Sequence, residues 1–269
     1  MCTIIILNHV TADLPLVIAA NRDEIYARSA TGPQVIQQRA GPTPQAIGGV
    51  DEALGGTWMG ATEDGLFVGL TNQRTFQPPN RELRSRGQLV SQALRCGSVA
   101  AIHDFLETLE ARQYNPFNLL YGDGRTLELA RAGPEAALSI EPVPQGAHVL
   151  PNDRLDSDDF PKVQRAQTLL GDVDELGGLT WHELQQQLTL VLSDHERPPV
   201  DQIADPPAGS WLTKPLLAEL QALCIHTEFY GTCSATIVGI TPGRVDHYLF
   251  AAGSPCTEAF EDITSLLAE

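Results

Sequence analysis

The sequence has no long hydrophobic run and no basic leader. None of its segments approaches the 18 or so apolar residues that a membrane-spanning helix needs. At the N-terminus, an apolar run of four residues without a preceding basic region is too short for a secretory signal. We therefore expect a cytoplasmic protein that does not insert into a membrane.

Basic residues are also scarce. The chain has 17 Lys and Arg against 34 Asp and Glu, which gives a formal net charge of -17 at pH 7. Such a surface repels phosphate backbones and anionic lipid, which argues against nucleic acid or a membrane surface as the partner. Solubility is the simpler interpretation of this charge. A small-molecule ligand or substrate is the partner that we expect.

Motifs for metals, nucleotides and haem are missing as well. The five cysteines form no CxxC pair, so neither a zinc ribbon nor a disulfide framework is predicted. There is no HExxH, CxxCH, GxGxxG or P-loop pattern, so we expect no resident cofactor. Cys224 and His226, two residues apart on a possible strand, are the best ligand pair, and by themselves they do not predict a metal site.

The first two elements predict a hairpin. Residues 3–9 and 16–21 are rich in β-branched side chains and flank a polar turn. In a hairpin centred near Ala12, the numbers of paired residues sum to about 24. This register places Cys2 opposite Arg22, with Asp23 one step on.

The rest of the chain predicts an α+β fold. Glycine-rich segments at 48–49, 55–60 and 65–72 are interpreted as turns that feed short buried strands. Helices are predicted over 82–94, 160–170, 180–192 and 257–267, and one more helix is predicted to begin after an N-cap at Ser98. The helix over 180–192 begins with a capping box of Thr180 and Glu183. Further strands are predicted at 117–121, 126–130, 137–140, 148–150, 235–240 and 246–251. Hairpins outnumber strand–helix–strand units, so we predict one domain over residues 1–269, a four-layer αββα sandwich of two mostly antiparallel sheets.

Cys2 can combine a nucleophile and a base in one residue. If Met1 is removed, Cys2 carries both a thiol and a free α-amine, and an α-amine titrates near pH 8. The amine can take the thiol proton, while Arg22 stabilises the thiolate and Asp23 holds the ammonium or orients Arg22. The alternative is that Cys2 simply packs at the sheet edge.

An ordered series of short motifs resembles one known family. The motifs occupy residues 1–3, 16–24, 55–60, 70–72, 86–90, 114–120 and 230–232. Together they resemble the NRDE family, that of Transport and Golgi organisation 2, which takes its name from the tetrapeptide at residues 21–24. That family in turn resembles the N-terminal cysteine hydrolases with the αββα fold, such as penicillin V acylase and bile salt hydrolase.

The resemblance implies a site and two functions. Cys2 would be the nucleophile, supported by Arg22 and Asp23, and Asn72 and Asn152 would lie near an oxyanion; turn chemistry at strand ends is the alternative for these two amides. Asn21 and Cys233 complete the expected substrate-facing set, and Cys233 stands where relatives commonly have arginine.

The implied activity is hydrolysis of a non-peptide amide bond through an acyl-Cys2 intermediate. The alternative is a non-catalytic protein that binds or traffics haem or acyl lipids.

Overall fold

The computed structural model describes residues 2–133, 135 and 137–268, so Met1 lies outside the described residues. The strands are β1 Thr3–Asn8, β2 Leu16–Ile25, β3 Ala30–Gln37, β4 Ala46–Asp51, β5 Met59–Thr62, β6 Phe67–Asn72, β7 Phe117–Gly122, β8 Leu127–Ala132, β9 Leu138–Pro142, β10 Gly146–Leu150, β11 Tyr230–Thr241, β12 Arg244–Ala251 and β13 Glu261–Asp262. The α-helices are α1 Arg86–Cys96, α2 Val99–Glu107, α3 Pro161–Leu170, α4 Val173–Gly177, α5 Trp181–Leu192 and α6 Lys214–Glu219.

The strands form two antiparallel sheets. The first sheet has the order β10-β1-β2-β11-β12-β13, and the second is a meander that runs from β3 to β9 in chain order. Helices α3 and α5 cover the outer face of the first sheet, and α1 and α2 cover that of the second. The molecule is therefore the predicted αββα sandwich.

Alternation along β1 explains why two sheets stack. Ile5 and Leu7 belong to the core beneath α3 and α5, whereas Ile4 and Ile6 belong to the core between the two sheets. Since successive side chains of a strand point to opposite faces, an uninterrupted apolar run marks a strand that is buried on both sides. Each of these side chains contributes about 1.5–3 kcal/mol through burial.

The predicted hairpin register is confirmed. Thr3 pairs with Asn21 and Ile4 with Ala20, so the paired numbers sum to 24 as expected. Strand β2 runs on to Ile25, beyond the predicted end at residue 21, because β11 pairs with this extension as far as Tyr230. The NRDE tetrapeptide therefore lies within a strand rather than after one.

Two helix starts are also confirmed. The Ser98 side chain accepts a hydrogen bond from the Ala101 backbone at the start of α2. Thr180 and Glu183 form the reciprocal capping box at the start of α5. Among the described residues, none of the helices has both the length and the hydropathy that crossing a bilayer requires.

Two expectations were wrong. Gly48 and Gly49 lie inside β4 and do not form a turn. Glycine at position 49 makes room for a neighbour, because a Cβ there would stand 2.1 Å from the ring of Trp58. The predicted helix over 257–267 is instead the short β13 and a 3-10 turn at Thr264–Leu267. Here the backbone N–H of Ile263 donates to the carbonyl of Tyr248, so the segment covers the edge of β12. Covering an exposed strand edge stabilises this segment more than its helical periodicity would.

A half-buried pair of His148 on β10 and Asp156 after it makes stability depend on pH. His148 Nδ1 donates to Asp156 Oδ2 at 2.7 Å, and its Nε2 donates to the Pro144 carbonyl at 3.1 Å. The hydrogen bond to Asp156 raises the pKa of His148, although burial opposes the shift. The pair therefore contributes fully below the unfolded pKa of about 6.5 and its contribution is lost as pH rises through the folded pKa.

We expect the stability advantage of the wild type over His148→Gln to fall by about 1 kcal/mol between about pH 5.5 and pH 8.5. Urea unfolding of both proteins at the two pH values measures this difference. A difference that stays constant or grows with pH would contradict the assigned ion pair.

Candidate active site

Cys2 lies at the end of β1, between two strands of the first sheet. The β1–β2 pairing ends at Thr3 and Asn21, and its next position sets Cys2 beside Arg22. On the other edge of β1, the pairing with β10 ends at Ile4 and Leu150, two residues before Asn152 in the chain. Of the predicted site residues, Arg22 is therefore the one that the sheet register sets beside the thiol.

A small cavity adjoins the thiol. Its volume is about 10 Å³, room for roughly one water-sized group. The cavity is lined by Cys2, Ile4, Ala20, Asn21, Arg22, Trp58, Met59, Leu70 and Thr236. Because the Cys2 side chain is only partly buried, a group can reach the thiol from outside.

Arg22 is held against an aromatic ring. Its guanidinium carbon lies 4.5 Å from the centroid of the Trp58 ring, a distance at which cation–π attraction stabilises the pair. Trp58 in turn fills the space that a side chain at Gly49 would take. Packing thus fixes the orientation of Arg22 beside the cavity.

Asp23 is the buried carboxylate of the site. Thr232 donates its hydroxyl to Asp23 Oδ1 at 2.7 Å, and Tyr230 donates its hydroxyl to the Asp23 backbone carbonyl at 2.8 Å. Burial raises the pKa of Asp23, while the positive charge of Lys162 and the hydrogen bond from Thr232 act to lower it.

Lys162 is a site residue that the motifs did not reveal. This side chain on α3 is 1% exposed, and its ammonium donates to the hydroxyl of Thr3 at 3.3 Å. Burial lowers the pKa of Lys162, whereas the charges of Asp23 and Cys2 act to raise it. A nearly inaccessible lysine is exceptional unless it faces an anion, so we assign it as the counter-charge of Asp23.

One sequence signal could have pointed to this lysine. The chain contains only two lysines, Lys162 and Lys214, with arginine at every other basic position. Lys162 also directly follows Pro161 in the first turn of α3, where a lysine opposes the helix dipole.

Asn21 holds the scaffold of the site together. Its amide nitrogen donates to the carbonyls of Leu192 at 2.8 Å and Leu223 at 2.9 Å. Both of its N–H groups are thus engaged with α5 and with the segment before β11. Asn21 lines the cavity, but its amide hydrogens are not available to an oxyanion, so we interpret it as a positioning residue rather than the substrate-facing residue expected from the sequence.

Asn72 and Asn152 meet at the same end of the two sheets. Asn152, 2% exposed, donates one amide N–H to the backbone carbonyl of Asn72 at 2.6 Å. The Arg74 backbone N–H donates to the Asn152 carbonyl at 2.8 Å. Asn152 is thereby fixed against Asn72 with a second amide hydrogen remaining, whereas Asn72 takes part through its carbonyl.

Cys233 lies at an irregularity of β11. The pairing of β11 with β2 shifts between Thr232 and Ser234, opposite Asp23 and Arg22. Such a bulge re-aims a side chain next to a functional site. Burial raises the pKa of the Cys233 thiol, and the charge of Arg22 acts to lower it, so Cys233 is a neutral neighbour where an arginine would add a charge.

The surroundings keep the Cys2 thiol protonated at rest. Burial raises the pKa of Cys2 and the charge of Asp23 raises it further, while the Asp23 backbone and Arg22 act to lower it. A protonated thiol is a poor nucleophile, so this site needs a base that removes the proton when a substrate arrives.

Comparison with known proteins identifies the family of the sequence. The sequence profile of the Transport and Golgi organisation 2 family matches residues 1–248. The Transport and Golgi organization protein 2 homolog of Bos taurus is 29% identical over 236 residues, which cover 83% of this chain and 81% of that protein.

Solved structures share the fold. A variant of the conjugated bile acid hydrolase from Clostridium perfringens superposes with a TM-score of 0.55 at 12% identity, over 99% of this chain and 94% of that one. The Caenorhabditis elegans ortholog of N-acylethanolamine-hydrolyzing acid amidase has a TM-score of 0.52 at 12% identity, over 89% of this chain and 92% of that one. At this identity the similarity establishes the architecture alone.

Proposed function

The chain belongs to the Transport and Golgi organisation 2 family, and from that premise we propose that it is an N-terminal cysteine hydrolase of non-peptide amide bonds. The observation that supports this most is the position of Cys2, beside Arg22 and at a cavity that both residues line. The solved relatives by fold are amide-hydrolysing enzymes by name. We expect the protein to work in the cytoplasm on a small-molecule substrate.

In the first half of the reaction, Cys2 is acylated. Once Met1 is removed, the α-amine of Cys2 takes the thiol proton, and the sulfur attacks the carbonyl carbon of the amide. Asn152 donates its second amide hydrogen to the oxygen that becomes negative. The carbon–nitrogen bond then breaks, and the leaving amine takes the proton from the α-ammonium group.

In the second half, water regenerates the enzyme. The α-amine removes a proton from water, hydroxide attacks the thioester, and the carboxylic acid leaves while sulfur recovers its proton. Asp23 and Lys162 do not touch the substrate. Their buried charges attract each other, and Lys162 donates a hydrogen bond to Thr3, the residue after Cys2.

Trapping the intermediate tests this proposal. Processed protein, verified by N-terminal sequencing to begin at Cys2, is incubated with 4-nitrophenyl acetate, and acylated peptides are mapped by mass spectrometry. We expect one acetyl group per chain, carried by Cys2. A matched protein in which a leucine inserted after Met1 prevents processing should stay unlabelled. Label on Cys96 or Cys256 in place of Cys2, or equal label without processing, would contradict the mechanism.

The non-catalytic alternative predicts a different result. The cavity at Cys2, about 10 Å³, is far below the roughly 300–1,000 Å³ of ordinary small-molecule sites. A cavity of this size encloses neither a porphyrin nor a whole amide substrate, so its volume does not separate the two functions and the binding experiment does. Saturable hemin binding that Cys2→Ala leaves unchanged, together with no acyl adduct, would favour the binding protein over the hydrolase.

A further inference from the structure

Four metal-ligand side chains from three loops meet outside the Cys2 site. His195 follows α5, Cys224 and His226 precede β11, and Cys256 follows β12. One ligand atom of each lies within 4.8 Å of those of the other three. Cys224 is buried and the other three are exposed, so an ion can enter from solvent.

The distances fit one tetrahedral ion. Zinc binds sulfur at about 2.3 Å and imidazole nitrogen at about 2.0–2.1 Å, so ideal tetrahedral edges are about 3.8 Å between sulfurs and about 3.5 Å between sulfur and nitrogen. The sulfur atoms of Cys224 and Cys256 lie 3.7 Å apart. The Nε2 atom of His226 lies 3.6 Å from the Cys224 sulfur and 3.3 Å from the Cys256 sulfur. Three of the edges thus match a site of this size.

The outer contacts are those of a metal-binding histidine. His195 Nδ1 donates to the backbone carbonyl of Cys224 at 3.1 Å, and the Cys224 backbone N–H donates to the Asp194 carbonyl at 2.8 Å. A ligating histidine characteristically donates its other ring N–H to such a carbonyl, which fixes the tautomer and the ring orientation. The remaining nitrogen of His195, Nε2, is then available to an ion.

We propose that His195, Cys224, His226 and Cys256 bind one Zn²⁺ ion. Two sulfur and two nitrogen ligands in tetrahedral spacing select zinc, and four protein ligands leave no position for substrate, so the ion is structural. Binding releases the two thiol protons to solvent. The sequence pointed only to the pair Cys224 and His226, since His195 and Cys256 are 29 and 32 residues from Cys224.

The zinc site connects mechanically to the Cys2 site. Ile225, between two of the ligands, donates its backbone N–H to the hydroxyl of Thr232 at 2.9 Å, and Thr232 donates to Asp23. Ser254, two residues before Cys256, donates its hydroxyl to the Thr232 carbonyl at 2.7 Å. The ion therefore clamps the loops that hold Thr232 against Asp23.

Metal content and cobalt spectroscopy test the site. Full-length protein is purified under reducing conditions, stripped with a chelator, and reloaded with Zn²⁺ or Co²⁺ before exhaustive dialysis. We expect about one equivalent of metal per chain, and for Co²⁺ the visible bands of tetrahedral geometry with a thiolate charge-transfer band. Cys256→Ser and His226→Gln should each reduce retained zinc at least ~10-fold.

Matched variants separate a specific site from chance binding. Cys96→Ser and His182→Gln remove a cysteine and a histidine far from the cluster, and should retain the full equivalent. Cys2→Ala should also retain it, so failure of the hydrolase mechanism and failure of the zinc site are distinguishable. Unchanged retention in Cys256→Ser and His226→Gln, or no retention by the wild type, would overturn the proposal.

The cobalt spectrum keeps the proposal testable if a ligand variant fails to fold. A wild-type Co²⁺ spectrum without a thiolate band, or with octahedral features, would overturn it directly. A Cys224–Cys256 disulfide that persists under reducing conditions would do the same, because the thiolates would then be lost.

Discussion

Replacing Cys2 with alanine is expected to lower the rate of acyl turnover by at least ~10³-fold, because the proposed mechanism forms the acyl intermediate on Cys2. The substitution removes one sulfur from a partly buried residue directly before β1, so the fold should persist. Hydrolysis of 4-nitrophenyl acetate, followed in single-turnover mode, separates the acylation step from slower deacylation.

Matched variants sharpen this test. Cys96→Ala removes a similar thiol from α1 and should leave turnover unchanged. Cys2→Ser preserves shape but has a weaker nucleophile, so it should lose turnover while unfolding at the same urea concentration as the wild type. Turnover by Cys2→Ala within about threefold of the wild type would rule out acylation of Cys2 as the route.

Replacing Lys162 with methionine is expected to lower the free energy of unfolding by about 3 kcal/mol, because the buried Asp23 would lose the attraction of the ammonium charge. Asp23→Asn should cost a similar amount, because the buried Lys162 would lose the attraction of the carboxylate. The double variant should be more stable than the sum of the two single losses predicts, since the attraction between these two charges can be lost only once. Urea unfolding of the four proteins gives this coupling energy.

Lys214, the second lysine of the chain, provides a control for this comparison of single and double variants. Lys214 pairs with Asp205 at 3.2 Å, but the Asp205 side chain is 86% exposed, so Lys214→Met should change stability by less than about 1 kcal/mol. Strict additivity of Lys162→Met and Asp23→Asn would show that these two charges do not interact in the folded protein.

Local signals accounted for much of the fold. The β-branched run before a polar turn predicted the β1–β2 register, and Thr180 with Glu183 predicted the start of α5. Such signals succeed because turns and caps are decided by residues a few positions apart. The C-terminal segment failed for the opposite reason, since its partner is the distant edge of β12.

Part of the candidate site could be predicted from the sequence. Cys2, Arg22 and Asp23 share one hairpin, so their proximity follows from its register. Lys162 contacts Thr3, the residue after Cys2, across 159 residues of sequence, and Asn152 follows β10, which pairs with β1. No local sequence pattern predicts contacts between residues so far apart in the chain.

By itself, the sequence determined the hairpin that sets Cys2 beside Arg22, the alternating apolar faces, and the order of elements that demands two stacked antiparallel sheets. Only the tertiary structure decided that Asn21 donates both amide hydrogens to backbone carbonyls, that the charge of Lys162 acts on Asp23, and that two cysteines and two histidines lie close together. The physical reason is range: periodicity and turn chemistry act between neighbours, whereas burial and charge pairing join residues that only the folded chain brings together.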